Sequence, residues 1–153
     1  MRMLYFAYGS NMSSARLRSR VVSAELMGRA LLKDRKISFN KRSRDGSGKA
    51  NLVESPGAMT WGVLYDIDSQ DLKTLDEVEG GYERVTVRVW KTYGNVVEAV
   101  TYVSTNLTDD PRAYECYKEL VLSGAREHNL PRDYIAFLEE LPSKPSNKSE
   151  TAG

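Results

Sequence analysis

The sequence predicts a mixed α/β (α+β) domain built around one sheet that curls into a barrel, with flanking helices. Strand patterns outnumber helical ones over the first two thirds of the chain, and helical patterns close it. No internal repeat is present, and no stretch approaches 18 uninterrupted apolar residues, so neither a solenoid nor a membrane helix is expected. With 41% hydrophobic and 28% charged residues, the 153-residue chain has the composition of one globular domain, expected over residues 1–141. From Pro142 it turns to Ser, Lys, Pro and Asn without an apolar anchor, and a flexible tail is expected over 142–153.

The elements follow in order. Leu4 to Tyr8 is an apolar and aromatic run ending in Gly9-Ser10-Asn11, which reads as a buried strand entering a turn. Gly9 permits a tight turn or close approach of a ligand, and Ser and Asn are residues that cap the following helix, expected over Ala15–Arg20 with its arginines in solvent. Leu26 to Lys36 carry no clear period. Lys36 to Lys41 alternate as a half-buried strand, and Ser43 to Lys49 form a loop. Its Gly-Ser-Gly-Lys lacks both the earlier glycine and the following hydroxyl of a phosphate-binding loop, since Ser43 and Ala50 stand there. Asn51–Glu54 is a short strand stopped by Ser55-Pro56-Gly57, and Thr60–Ile67 a longer one with Gly62 marking a bulge or close approach. Asp68 and Ser69 cap a helix with Leu72, Leu75 and Val78 on one stripe, ended by Gly80-Gly81. A hairpin of Val85–Trp90 and Val96–Ser104 turns at Gly94-Asn95. A long helix opens at Pro111 and breaks at Leu130-Pro131, and a last one covers Asp133–Leu141.

Several chemistries are disfavoured. A single cysteine, Cys116, rules out an intramolecular disulfide, and with no signal-peptide pattern the expected location is cytoplasmic. No Cys/His cluster suggests a metal. His128, the only histidine, sits in a charged helix end and is expected in solvent. The first fifty residues hold 12 Lys/Arg against 3 Asp/Glu, but the basic residues spread over several elements and no nucleic-acid partner is expected. Asp76 and Glu77 suit a charged helix face. Glu79 differs, because the neighbouring glycines cannot crowd it, and a carboxylate projecting from that turn into a cleft can accept and return a proton.

Taken together, Tyr5-Phe6-Ala7-Tyr8-Gly9-Ser10-Asn11 and Leu75-Asp76-Glu77-Val78-Glu79-Gly80 resemble the γ-glutamylcyclotransferase family. The similarity continues through Ser55-Pro56-Gly57, Trp61-Gly62-Val63 and Gly124-Ala125-Arg126-Glu127 to about Leu141. Asn11 sets the chain apart from the glutathione-specific branch, whose turn reads Tyr-Gly-Ser-Leu. The resemblance implies a small mixed barrel and conversion of a γ-glutamyl amide to 5-oxoproline and a free amine. It implies Glu79 as catalytic acid/base, and Tyr8, Gly9, Ser10 and Asn11 as the cradle of the γ-glutamyl group. Tyr82, Tyr102 and Tyr117 match pocket tyrosines, and the compact Gly81-Tyr82-Glu83-Arg84 segment lies where the leaving-group pocket is shaped. The substrate itself supplies the nucleophile, so no cofactor is expected. Partners implied are a small γ-glutamyl substrate and, at most, a second copy in a homodimer. Two alternatives stand beside this: removal of a γ-glutamyl group from a larger amine or isopeptide, and a non-catalytic module binding a γ-glutamyl ligand.

Overall fold

Five strands close into a barrel in the order β1-β3-β2-β4-β5. The computed structural model describes residues 1–145. Strand β1 (Arg2–Ala7) runs antiparallel to β3 (Gly48–Asp68) and meets β5 (Val96–Val103) in parallel at Tyr5 and Val100. That parallel contact makes the sheet mixed and leaves β1 without an edge. Tyr5, Phe6 and Ala7 are buried in succession, as an apolar run covered on both faces requires.

Strand β2 (Glu25–Arg42) pairs with β3 over most of its 18 residues and with β4 (Glu83–Lys91) at Ala30 and Leu31. It includes the residues whose sequence shows no period. Register shifts fall between Leu26 and Gly28, between Lys33 and Arg35, and between Ser38 and Lys41. A bulge reverses the faces of the residues beyond it, so no single two-residue alternation survives. The expected break at Ser55-Pro56-Gly57 is also a bulge. Glu54 pairs with Arg35 and Met59 with Lys33, leaving Ser55–Ala58 opposite Asp34 alone. Asp34 and Gly57 both take positive φ there, and the Gly57 N–H donates to Asp34 Oδ1 at 2.9 Å.

Helix α1 (Ser14–Arg20) is capped by Ser13, whose hydroxyl accepts from Arg16 N, and a single 3-10 turn (Ser10–Met12) precedes it. Helix α2 (Ser69–Val78) is capped by Asp68. Leu72 and Leu75 are fully buried, whereas Val78 at the end of the stripe is exposed. Helix α3 (Glu115–Glu127) starts four residues later than Pro111. Ala113–Tyr114 form β6 instead, pairing in parallel with β7 (Ser143–Lys144), and this extended backbone delays the helix. The segment expected to be flexible from Pro142 is thus tied down at Ser143 and Lys144, and the part beyond 145 lies outside the described residues. Helix α4 (Arg132–Glu140) packs on α3.

Two glycines set the positions that matter for the loop after β1. A Cβ on Gly62 would come 2.4 Å from Ala7 O and 2.7 Å from the Phe6 ring, so the expected close approach is β1 itself. A Cβ on Gly124 would meet Met12 Cβ and Ser13 N at 2.7 Å, so α3 presses its backbone directly on the turn after Gly9. Gly124→Ala forces that turn away from α3 and is expected to cost about 1–3 kcal/mol by overpacking. Urea unfolding measures this; a variant as stable as the wild type would mean that the turn is free to move.

Candidate active site

The loop after β1 and the C-terminal end of α2 converge on one cleft. It is lined by Tyr5, Tyr8, Gly9, Ser10, Asn11, Ala50, Glu79, Tyr82, Thr101, Tyr102 and Tyr117. All eight site residues expected from the sequence are among them. The empty volume of the cleft, counted out to the solvent at the mouth, is about 320 Å³.

Glu79 follows the last residue of α2. Its N–H still closes a helical turn on Leu75 O at 2.8 Å, its backbone leaves the helical region, and Gly81 adopts φ 86°. This carries the carboxylate off the helix axis and into the cleft, where its side chain is 16% exposed. Oε1 accepts from Asn11 Nδ2 at 2.9 Å and lies 4.0 Å from Arg20 Nη1. The same Asn11 amide donates to Tyr5 OH at 3.1 Å, and Asn11 Oδ1 accepts from Arg20 at 3.2 Å. Asn11 therefore does not cap α1; it ties three site residues together. Burial raises the Glu79 carboxyl above its ordinary value, opposed by Arg20, the Asn11 hydrogen bond, Arg16 and Lys41. The outcome is a carboxyl that gives up and regains its proton more readily near neutral pH than a solvated one.

The tyrosines hold the walls. Tyr8 OH donates to Tyr102 O at 2.5 Å, Tyr82 OH to Ala50 O at 2.6 Å, and Tyr102 OH to Asp76 Oδ1 at 2.5 Å. Tyr117 OH accepts from Ala50 N at 3.2 Å and hydrogen-bonds the Ser10 hydroxyl, and burial pushes its pKa up to about 12. Desolvation likewise raises Tyr5, Tyr8, Tyr82 and Tyr102, so all five remain neutral donors at physiological pH.

Sequence reasoning missed several contributors. Arg20 points inward rather than to solvent, and Arg16 lies on the same helix face four residues earlier, with Nε and Nη2 buried and unpartnered among the described residues. That four-residue spacing was the available signal. Tyr5 faces the cleft because β1 is buried on both sides, and Asp76 anchors Tyr102 rather than decorating a solvated face. His128 is also different from expectation. Its side chain is buried at 7% exposure, with Nε2 at 2.8 Å from Met12 O and 3.3 Å from both Ser14 Oγ and Tyr65 OH. The nitrogen facing Ser14 is thus already committed to a backbone carbonyl, so Ser14 and His128 hold the loop and do not form a nucleophile–base pair. Among the described residues no group of three His, Cys, Asp or Glu is placed to hold a metal ion.

The amide of Asn11 favours the ionised form of Glu79. Asn11→Ala is therefore expected to raise the pH at which Glu79 ionises and to cost about 1–3 kcal/mol through the lost buried hydrogen bonds. Carboxyl-carbon NMR titration of Glu79 reads the first effect; an unchanged or lower midpoint would sink the assignment of this bond.

The match to known proteins agrees with this architecture. The model of the AIG2-like family matches residues 59–138. The γ-glutamylcyclotransferase of Homo sapiens is 34% identical, with 90% of this chain and 78% of that protein covered, and that of Bos taurus is equally similar over the same shares. A solved γ-glutamyl cyclotransferase superposes with a TM-score of 0.89 at 30% identity, covering all of this chain and 94% of the other. The barrel, its helices and this similarity together identify the chain as a member of the γ-glutamylcyclotransferase family.

Proposed function

We propose that this protein is a γ-glutamyl cyclotransferase that converts a γ-glutamyl amide of a small amine into 5-oxoproline and the free amine, with Glu79 as the acid/base. The observation that carries the reading is the Glu79 carboxylate, desolvated and hydrogen-bonded to Asn11 across the mouth of the Gly9–Asn11 turn. Similarity to enzymes bearing that name supports the reaction class.

The chemistry follows from the parts. In the γ-glutamyl substrate the α-amine can reach its own γ-carbonyl through a five-membered ring. Holding the chain folded removes much of the entropic barrier, and the tyrosine walls serve this end. Glu79 takes a proton from the α-ammonium, and the freed amine attacks the γ-carbonyl. Backbone N–H groups of the Gly9–Asn11 turn, fixed in place by Gly124 and His128, stabilise the oxyanion that forms. Glu79 then returns its proton to the departing nitrogen as the carbon–nitrogen bond breaks, and relays the second proton of the ring nitrogen to the same amine, which leaves as an ammonium, so the proton count closes without an outside acid. The desolvation that raises the Glu79 carboxyl favours this return, and Arg20 keeps the carboxylate ionised often enough to begin. The residues serve a base and a folded substrate; a purely binding module would gain nothing from a desolvated carboxyl at the cleft wall whose hold on a proton is raised by burial.

Glu79→Gln is expected to keep the fold and to lower 5-oxoproline release by about 10²–10⁴-fold. Turnover equal to the wild type would remove Glu79 from the mechanism. Because the folded-state pKa of Glu79 is raised, the fold holds this proton more tightly than the unfolded chain does. The resulting cost to stability is absent below about pH 4.5 and fully present once pH passes the folded pKa. Relative to the wild type, Glu79→Gln should therefore gain thermal stability as pH rises through that window, and a constant difference would contradict the desolvation.

A further inference from the structure

Helix α2 is held differently at its two ends. At the start, Ser69 N–H donates to Met1 O at 2.8 Å, and the Ser23 hydroxyl accepts from Asp68 N–H at 3.0 Å and donates to Asp71 Oδ2 at 2.5 Å. Toward the end that carries Glu79, Thr74, Glu77 and Val78 are exposed and Leu75 is buried. Among the described residues, Asp76 is the one side chain of this last stretch of α2 that hydrogen-bonds to the barrel. Tyr102 OH donates to its Oδ1 at 2.5 Å, and Arg84 Nε lies 3.7 Å from the same oxygen. Tyr102 on β5 and Arg84 on β4 are direct cross-strand partners, so the grip comes from two neighbouring strands. The ion pair is 38% exposed on both sides and contributes little by itself. The Tyr102 ring is buried, and burial raises its hydroxyl well above the ordinary range, so it stays a donor. Tyr102 also reaches the other half of the site, since its carbonyl accepts from Tyr8 OH just before the Gly9–Asn11 turn.

We propose that Asp76 is a positioning residue for the reaction: through Tyr102 it sets where the end of α2, and so the Glu79 carboxylate, stands against the Gly9–Asn11 turn. The inference rests on the acid/base role of Glu79 proposed above. Asp76 does not line the cleft, so it acts through its neighbours. It precedes Glu79 by three residues, close to one helical turn, and both carboxylates face the barrel. Leu72 and Leu75 give the helix an apolar seat but leave it able to roll on that seat, because apolar contact has no direction. A hydrogen bond one residue after Leu75 stops the roll. The base must reach first the α-ammonium and then the departing nitrogen, and a misplacement of about 1 Å costs on the order of 10²-fold in rate.

The experiment measures 5-oxoproline release from γ-glutamyl-alanine, and the Glu79 midpoint by carboxyl-carbon NMR, in wild type, Asp76→Ala, Asp76→Asn, Tyr102→Phe and the Asp76→Ala/Tyr102→Phe double variant. Asp76→Asn removes the charge but keeps an oxygen for Tyr102, whereas Asp76→Ala removes both. In Asp76→Ala kcat should fall by about 10–10²-fold with KM held within about threefold, and Asp76→Asn should stay within about threefold of wild type. The Glu79 midpoint should drop toward that of a solvated carboxylate in Asp76→Ala and hold in Asp76→Asn, because Arg16, Arg20 and Lys41, the cations facing Glu79, are the same in both. Tyr102→Phe cuts the same bond from the other side and should lower the midpoint likewise, with no further drop in the double variant. It decides the question if Asp76→Ala does not fold. A kcat unchanged in Asp76→Ala, equal losses in Asp76→Ala and Asp76→Asn, a loss confined to KM, or a midpoint unmoved in Asp76→Ala and Tyr102→Phe overturns the positioning role. A folded wild type that releases no 5-oxoproline from any γ-glutamyl amide instead overturns the reaction itself, and the role with it.

Discussion

The hydrogen bond from the Asn11 amide to Glu79 joins two segments 68 positions apart, and the site exists only while they meet. One segment is the turn after β1; the other is the unwound end of α2. Neither holds the other by sequence proximity. The barrel positions β1 between β3 and β5, α3 presses Gly124 onto Met12, and the buried His128 ring holds the Met12 carbonyl. Each of these contacts restricts the turn from a different side. The carboxylate can therefore be desolvated without drifting back to water, which an unrestrained glutamate at a helix end would do.

The walls of the cleft illustrate how a polar pocket is kept rigid. Five tyrosines line it, and the hydroxyls of four are tied to a carbonyl, an N–H or a carboxylate of another element. Tyr5 alone is held by the Asn11 amide that also serves Glu79. Buried hydroxyls that lack partners would be costly, so these contacts fix ring positions as well as satisfy donors. Ring positions in turn set the shape of the cleft.

The turn, the carboxylate and the barrel were legible in the sequence because each is written in residue types with narrow uses. Glycine beside glutamate at a helix end, and Gly-Ser-Asn after an aromatic run, restrict what the backbone can do. The alternating valines of β4 likewise survive as a pattern because its pairing with β5 runs from Glu83 with Val103 to Trp90 with Val96 without a shift. Strand β2 was not legible, since three bulges reverse its faces within one strand. The inward turn of Arg20 and the position of Lys41 were hidden for a different reason. A long cationic side chain carries no local preference for cleft or solvent, and its direction depends on the barrel having closed around it. His128 was misjudged in the same way, because a helix end looks solvated until the element packed against it is known.

Barrel closure also sets an order of events during synthesis. Strand β1 pairs only with β3, which extends to Asp68, and with β5 at Val100. At about 5–20 residues per second, a nascent chain carries β1 unpaired on at least one edge for roughly 5–20 s before β5 is made. The aromatic run Tyr5-Phe6-Ala7-Tyr8, whose two tyrosines come to line the cleft, is during that interval an exposed sticky strand. The residues most useful to the finished enzyme are those the growing chain must shield longest.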